Sequence, residues 1–138
     1  MIGSKERIDF PKLNIRHIVA RIDTGATTSS VHCERIWIEK FDGKEVLCCH
    51  LLRKTTRVTR FKQFSKKKVR SSNGHVQTRY SVRMRVNLGG DEFRTDFTLS
   101  NRKMMKFSVL LGRRTLKGRY IVDVSEQYLL DKAVEDQS

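Results

Sequence analysis

No acidic residue occurs between Val46 and Gly90, a span that holds twelve arginines and lysines. A fold with so one-sided a charge repels itself unless a counter-charge lies near, so one face of the protein is expected to be strongly positive and to attract an anionic partner. Long apolar runs are also missing: nothing approaches the roughly 18 residues that a membrane-spanning helix needs, and no membrane partner is expected. Cysteine is scarce. Cys33, Cys48 and Cys49 do not make a disulfide framework, and Met1 to Lys5 lack the basic-then-apolar layout of a secretory signal, so a reduced, cytoplasmic setting is expected. One proline, eight glycines and no low-complexity stretch argue against a disordered basic tail.

Metal and nucleotide signatures are absent as well. There is no His-Glu-x-x-His, no Cys-x-x-Cys and no phosphate-binding loop, and adjacent Cys48, Cys49 and His50 alternate faces on a strand, which is poor chelating geometry. Packing is therefore the favoured role for these residues and for His17, His32, Cys33 and His75, with no metal and no cofactor expected.

What is present fits one domain of about 130 residues, here 1–130, followed by an acidic tail at 131–138. The 138 residues carry a net charge of +14. Periodicity indicates an all-β fold. Val76, Thr78, Tyr80, Val82, Met84, Val86 and Leu88 occupy even positions between polar residues, which predicts a half-buried strand. Gly89-Gly90 predicts a two-residue turn, and Phe93, Thr95, Phe97 and Leu99 a partner strand buried on its odd positions. Asn73-Gly74 predicts a second hairpin tip after Lys67 to Arg70. Shorter strands are expected at Ile15–Ile22, Ile36–Ile38, Val46–Leu52, Phe107–Leu111 and Tyr120–Val124, with one short C-terminal helix at Arg113–Lys117. Many short strands in so small a domain point to a closed barrel or sandwich.

The residues that could carry chemistry stand where one strand ends. Ile18 to Ile22 runs into Asp23-Thr24-Gly25-Ala26-Thr27, which sets a carboxylate at a strand mouth beside a residue with wide backbone freedom. Far downstream a second apolar run ends in glycine, Leu110-Leu111-Gly112-Arg113. Read alone, Asp23 could equally be a turn or cap carboxylate.

Together and in this order the two segments resemble the retropepsin-like aspartic peptidases. Ile2-Gly3, Phe10-Pro11-Lys12-Leu13, Ser29-Ser30-Val31-His32, Ser71-Ser72-Asn73-Gly74 and Arg114 to Arg119 extend the resemblance over roughly residues 1–125 to a bacterial single-domain family labelled ATP-dependent zinc proteases, which includes the RimB-like proteins. That family usually has arginine at the place of Thr27 and tryptophan at that of Ser4, so the chain departs from it there. The resemblance implies an acid-protease barrel that works as a homodimer, with Asp23, Thr24 and Gly25 catalytic. It further implies that Ala26 and Thr27, with Ser72, Asn73 and Gly74 of a hairpin flap spanning Arg70 to His75, contact substrate, and that Leu110, Leu111, Gly112 and Arg113 brace the loop. Some relatives occur with ATP-grasp ligases that add glutamates to a ribosomal protein, so a glutamate-rich polypeptide is the substrate class suggested.

Two other readings remain open at this stage. The basic span at 46–90 could serve a non-catalytic ribosome- or RNA-binding module, although only Phe61, Phe64 and Tyr80 offer stacking faces there. A metal-dependent hydrolase is the third. Paired Asp23 side chains, the basic face alone, and a bound metal are what the three respectively require.

Overall fold

In the computed structural model the described residues are 1–52, 57–70 and 73–131. Nine strands form in the order β1 (Lys5–Phe10), β2 (Ile15–Ile22), β3 (Ser29–Phe41), β4 (Lys44–Leu51), β5 (Thr59–Phe61), β6 (Ser65–Arg70), β7 (Val76–Leu88), β8 (Asp91–Ser100) and β9 (Val109–Leu111). A four-residue helix, α1 (Arg113–Leu116), follows β9 directly. Six strands close a ring, running β3, β8, β7, β1, β2 and β9, with β9 returning to β3. Closure removes the sheet edges that would otherwise be left unpaired. The expected all-β barrel with a short C-terminal helix is therefore what the chain forms.

The hairpin of β7 and β8 follows the alternation in the sequence. Leu88 pairs with Asp91 across Gly89 and Gly90, whose φ angles of 62° and 92° are both positive, the requirement of the type I′ turn that matches strand twist. Val82, Met84, Val86, Leu88, Phe97 and Leu99 enter the core, where the rings of Phe10 and Phe97 meet tilted at 58° with centroids 5.6 Å apart. Val76 and Thr78 are exposed because β7 extends past the barrel there. In that stretch it pairs with β6, from Ser65↔Ser81 to Arg70↔Val76, and makes a hairpin with Asn73 and Gly74 at its tip.

Some elements differ from expectation. Tyr120–Val124 is not a strand: it supplies a single bridge, Ile2↔Val122, while Ile121 and Val124 face outward at 73% and 74% exposure. Among the described residues that bridge is its one ladder contact, so its apolar residues have no longer ladder to join. The strand expected at Ile36–Ile38 is the middle of thirteen-residue β3, whose first half is hidden from a hydropathy reading by Ser29, Ser30 and His32, all buried polar residues. Strand β9 is only Val109–Leu111, and β1 and β5 were not expected at all.

Residues near the start of the chain meet Leu129 and Leu130 over one buried carboxylate. Glu6 is fully buried, and its oxygens accept from the backbone N–H groups of Gly3 (2.7 Å), Leu129 (3.0 Å) and Leu130 (3.1 Å). Asp131, read from sequence as the start of the tail, pairs with Arg7; residues 132–138 lie outside the described residues. No described helix is long and apolar enough to cross a membrane.

Candidate active site

Strand β2 carries Asp23 because it pairs in parallel with β9, Ile22 opposite Leu111. One residue further on, Asp23 N–H donates to the Leu111 carbonyl at 2.9 Å, so the carboxylate stands where the β2–β9 ladder ends. The chain then turns sharply. Ala26 N–H bonds back to the Asp23 carbonyl at 3.2 Å, and Gly25 N–H donates to Asp23 Oδ1 at 3.0 Å. One carboxylate oxygen is thus held by the loop, and the side chain stays partly open to solvent.

The segment after β9 fixes the rest of the loop. Arg113 N–H and Arg114 N–H donate to the carbonyls of Ala26 (2.8 Å) and Thr27 (3.0 Å). The Arg113 guanidinium donates to the Thr24 carbonyl at 3.0 Å and to Thr27 Oγ1 at 2.9 Å. Gly112 permits the approach, since a Cβ there would lie 2.5 Å from the Thr28 carbonyl oxygen. Behind it a buried hydroxyl chain runs from Ser29 Oγ to Thr115 Oγ1 (2.5 Å) and on to Thr95 Oγ1 (2.8 Å), while Gly112 N–H donates to Ser29 Oγ at 3.1 Å. The loop is pinned at several points, which is how a fold holds a side chain in one geometry. Leu110 and Leu111 supply the strand that carries this clamp, with Leu111 fully buried.

A cleft of ≈ 680 Å³ opens beside the loop, lined on one side by Gly25 to Thr28 and on the other by Lys67 to Arg70 of β6. Asp23 stands next to this lining rather than in it. Of the flap residues named from sequence, Asn73 and Gly74 sit at the exposed hairpin tip, away from the lining, and Ser72 lies outside the described residues. Strand β6 lines the cleft through Lys67, Lys68, Val69 and Arg70 instead. A second groove of ≈ 680 Å³ runs along Thr24, Thr27, Arg113, Tyr120 and Val122, so the loop and the C-terminal segment share one surface.

Among the described residues six cations line the cleft, Lys67, Lys68, Arg70, Arg79, Arg102 and Arg114, and no carboxylate does. Arg102 was not among the residues singled out from sequence. Its backbone N–H donates to His32 Nδ1 at 2.8 Å and its Nε to the Phe107 carbonyl at 3.0 Å. Burial, reinforced by the charges of Arg79 and Arg21, lowers its pKa from the usual arginine value, though arginine this basic keeps its charge at neutral pH. The only sequence hint is position, in Asn101-Arg102-Lys103 just past the end of β8.

His32 and the three cysteines are buried, whereas His17 and His75, also expected to pack, are exposed. His32 is buried and receives the Arg102 amide; His50 Nδ1 lies 3.1 Å from the Arg57 carbonyl, with its ring 5.3 Å from that of Trp37. Hydrogen bonding to Cys49 lowers the Cys33 pKa, and the same contact, with burial, raises that of Cys49. Among the described residues no group of three His, Cys, Asp or Glu side chains is placed to hold a metal ion.

Comparison with known proteins bears on this arrangement. The fold resembles the crystal structure of Lpg0085, a Legionella pneumophila protein of unknown function, with a TM-score of 0.73 at 24% identity over 94% of this chain and 96% of that one. Proteins called probable alpha-L-glutamate ligase are 35% identical over 94% of the chain in Shewanella halifaxensis and 36% identical over 99% in Desulfotalea psychrophila. The chain spans only 30% of the length of either relative. Residues 1–133 match the family described as retropepsin-like aspartic endopeptidase RimB, and with the Asp23 loop clamped from Gly112 and Arg113 as it is here, the chain belongs to the RimB-like family of retropepsin-like aspartic endopeptidases.

Proposed function

We propose that the protein is an aspartic-type endopeptidase that acts as a homodimer on acidic, glutamate-rich polypeptides. Peptide hydrolysis by this route needs two carboxylates about 3 Å apart that share one proton. The ionised one takes a proton from water, whose oxygen attacks the scissile carbonyl, while the protonated one donates to the carbonyl oxygen; the amine then leaves with a proton returned from the pair. Each chain supplies one such carboxylate, so a two-fold axis beside Asp23 provides the second. The groove joining Thr24 and Thr27 to Tyr120 and Val122, together with exposed Ile121 and Val124, supports an interface at that place.

The observation that carries the reading is the meeting of a braced Asp23 with a cleft lined, among the described residues, by six cations and no anion. Such a cleft attracts carboxylates and raises their local concentration. The name of the relatives associates a segment like this chain with glutamate-adding chemistry in one longer polypeptide, which supports the same substrate class. Nucleic acid remains the competing partner for the basic face.

The test is cleavage of an oligoglutamate-containing peptide by wild type and by Asp23→Asn. The variant is expected to retain the fold and lose turnover to background, and an excess of variant mixed with wild type is expected to suppress activity beyond dilution, because mixed dimers hold one functional carboxylate. Undiminished turnover by the variant rejects the mechanism, and activity that tracks the wild-type fraction linearly under confirmed subunit exchange rejects the shared pair.

A further inference from the structure

The outer face of the β7–β8 hairpin sets two arginines against each other. In the antiparallel register Arg85 lies directly opposite Arg94, next to the favourable pair Arg83↔Asp96. Like charges in directly opposed positions destabilise a sheet. Relief within the chain is slight: the nearest carboxylate to Arg85 is that of Glu92, at 3.8 Å, and among the described residues Arg94 has no ion pair. Arg85 Nε is also buried without an acceptor, a cost most native structures avoid. Opposed arginines with so little relief within the chain are understandable if an external anion lies against them.

The two arginines border a groove of ≈ 390 Å³, together with Lys12, Arg60 and Arg83. This groove is not isolated from the catalytic cleft. A smaller depression of ≈ 170 Å³ lies between them, sharing Thr28, Lys67 and Arg114 with the cleft and Arg83 and Arg94 with the groove. Asp96 is the one carboxylate along this connecting stretch, and Lys67 (3.7 Å) and Arg83 (3.4 Å) flank it. From Arg79 in the cleft to Arg85 in the groove, β7 advances six residues, about 20 Å at roughly 3.3 Å each.

We propose that the Arg85–Arg94 groove is an exosite that holds the carboxylates of an acidic polypeptide some six residues along the chain from the part bound at Arg79 in the cleft. This rests on the reading that the cleft takes an acidic polypeptide. Along the face of a strand, cations repeat every second residue, about 6.6 Å apart, which is the spacing of side chains on one face of an extended peptide. The guanidinium groups of Arg85 and Arg94 can each take a carboxylate through two N–H donors. RNA fits less well, because Phe10 is buried in the core and Phe61 is partly buried against it, which leaves little aromatic surface for base stacking.

The test measures binding, separately from cleavage, on the Asp23→Asn chain. Labelled oligoglutamates of about six and about fifteen residues, the shorter able to fill the cleft alone, are titrated by fluorescence anisotropy against that chain with and without Arg85→Gln and Arg94→Gln. The paired substitution is expected to weaken the longer peptide about tenfold or more and the shorter less than about twofold, given two lost charge-assisted contacts. Arg85→Lys with Arg94→Lys, which keeps the charge but not the fork, is expected to fall between. Equal effects on both lengths, or none on either, overturn the exosite. Loss of single-stranded oligouridylate binding with oligoglutamate binding intact also overturns it and assigns the groove to RNA. If wild type cleaves no acidic peptide while length-dependent binding persists, the peptidase reading fails and the exosite stands. Melting curves check the fold, and relief of the opposed arginines is expected to leave the Gln variants no less thermostable than the parent.

Discussion

Arg113 reaches back 89 residues to donate to the Thr24 carbonyl and 86 residues to donate to Thr27 Oγ1. One side chain therefore spans both arms of the loop that presents Asp23, in a position to set the loop's shape without touching a reacting atom.

Replacing Arg113 should consequently affect rate more than stability. Arg113→Ala is expected to lower kcat by about tenfold to a hundredfold, the scale of a misplaced catalytic group, with KM little changed because Arg113 is not in the cleft lining. Arg113→Lys can restore one of the two bonds and should recover part of kcat. A purely structural role would instead lower the unfolding midpoint and leave the rate per folded molecule intact, so kinetics and denaturant unfolding on the same samples separate the two.

Glu6 is expected to be among the most sensitive positions outside the loop. Glu6→Ala leaves the amides of Gly3, Leu129 and Leu130 without their acceptor, and the expected loss is about 3 kcal/mol or more. Glu6→Gln keeps one carbonyl oxygen and should lose less. Urea unfolding gives the magnitude, and amide exchange should quicken first at Leu129 and Leu130.

These two residues also mark how far the sequence could be read. The Asp23 loop and the Leu110 to Arg113 segment were legible because each is a contiguous stretch with a distinctive residue order. Their contact was only implied by the family, since it depends on the parallel register of Ile22 with Leu111 across most of the chain. Glu6 was illegible for a different reason: between Lys5 and Arg7 it looks like a solvated strand edge, and its burial is decided by backbone amides more than a hundred residues away. Asn73-Gly74 announced a hairpin, yet whether its tip or its arms face the cleft depends on how far β7 projects from the barrel. Tyr120–Val124 is rich in strand-forming residues, yet among the described residues it gains a single bridge, to Ile2, and is a connecting segment. Arg102 lay outside the long basic span, and nothing local distinguished it from a surface arginine.

Tyr120 gives a test in pH. Burial, and then the nearby charge of Asp91, push its hydroxyl from the ordinary 10.0 up to about 12, and the hydroxyl donates to the Leu88 carbonyl at 3.3 Å. A folded-state pKa above the unfolded value means that the contribution to stability is fully present below about pH 10 and fades as pH rises through 12. Ultraviolet titration should show one tyrosine ionising late in wild type and none so late in Tyr120→Phe. The stability difference between the two proteins should shrink across the same window; a difference that stays constant there would mean the hydroxyl contributes nothing through its proton.

The cations of the cleft should divide by rigidity. Lys68 projects from β6 on a flexible stem, whereas Arg102 is fixed by His32 at its amide and by the Phe107 carbonyl at its guanidinium. A flexible charge acts mainly on encounter, and its effect is screened by salt; a held one keeps its geometry in the complex and acts on release. Lys68→Gln is therefore expected to slow association of an oligoglutamate with the Asp23→Asn chain by about two- to threefold at low salt, with the difference vanishing near 0.5 M, a salt level at which the screening length is only about 4 Å. Arg102→Gln should instead speed dissociation by about tenfold and keep much of that effect in salt, as a lost charge-assisted hydrogen bond would. His32→Gln, which can still offer a side-chain acceptor to the Arg102 amide, should retain slower dissociation than His32→Ala. Equal behaviour of the Lys68 and Arg102 variants in stopped-flow traces would show that the cleft acts only through its summed charge, with no fixed cation selecting its ligand.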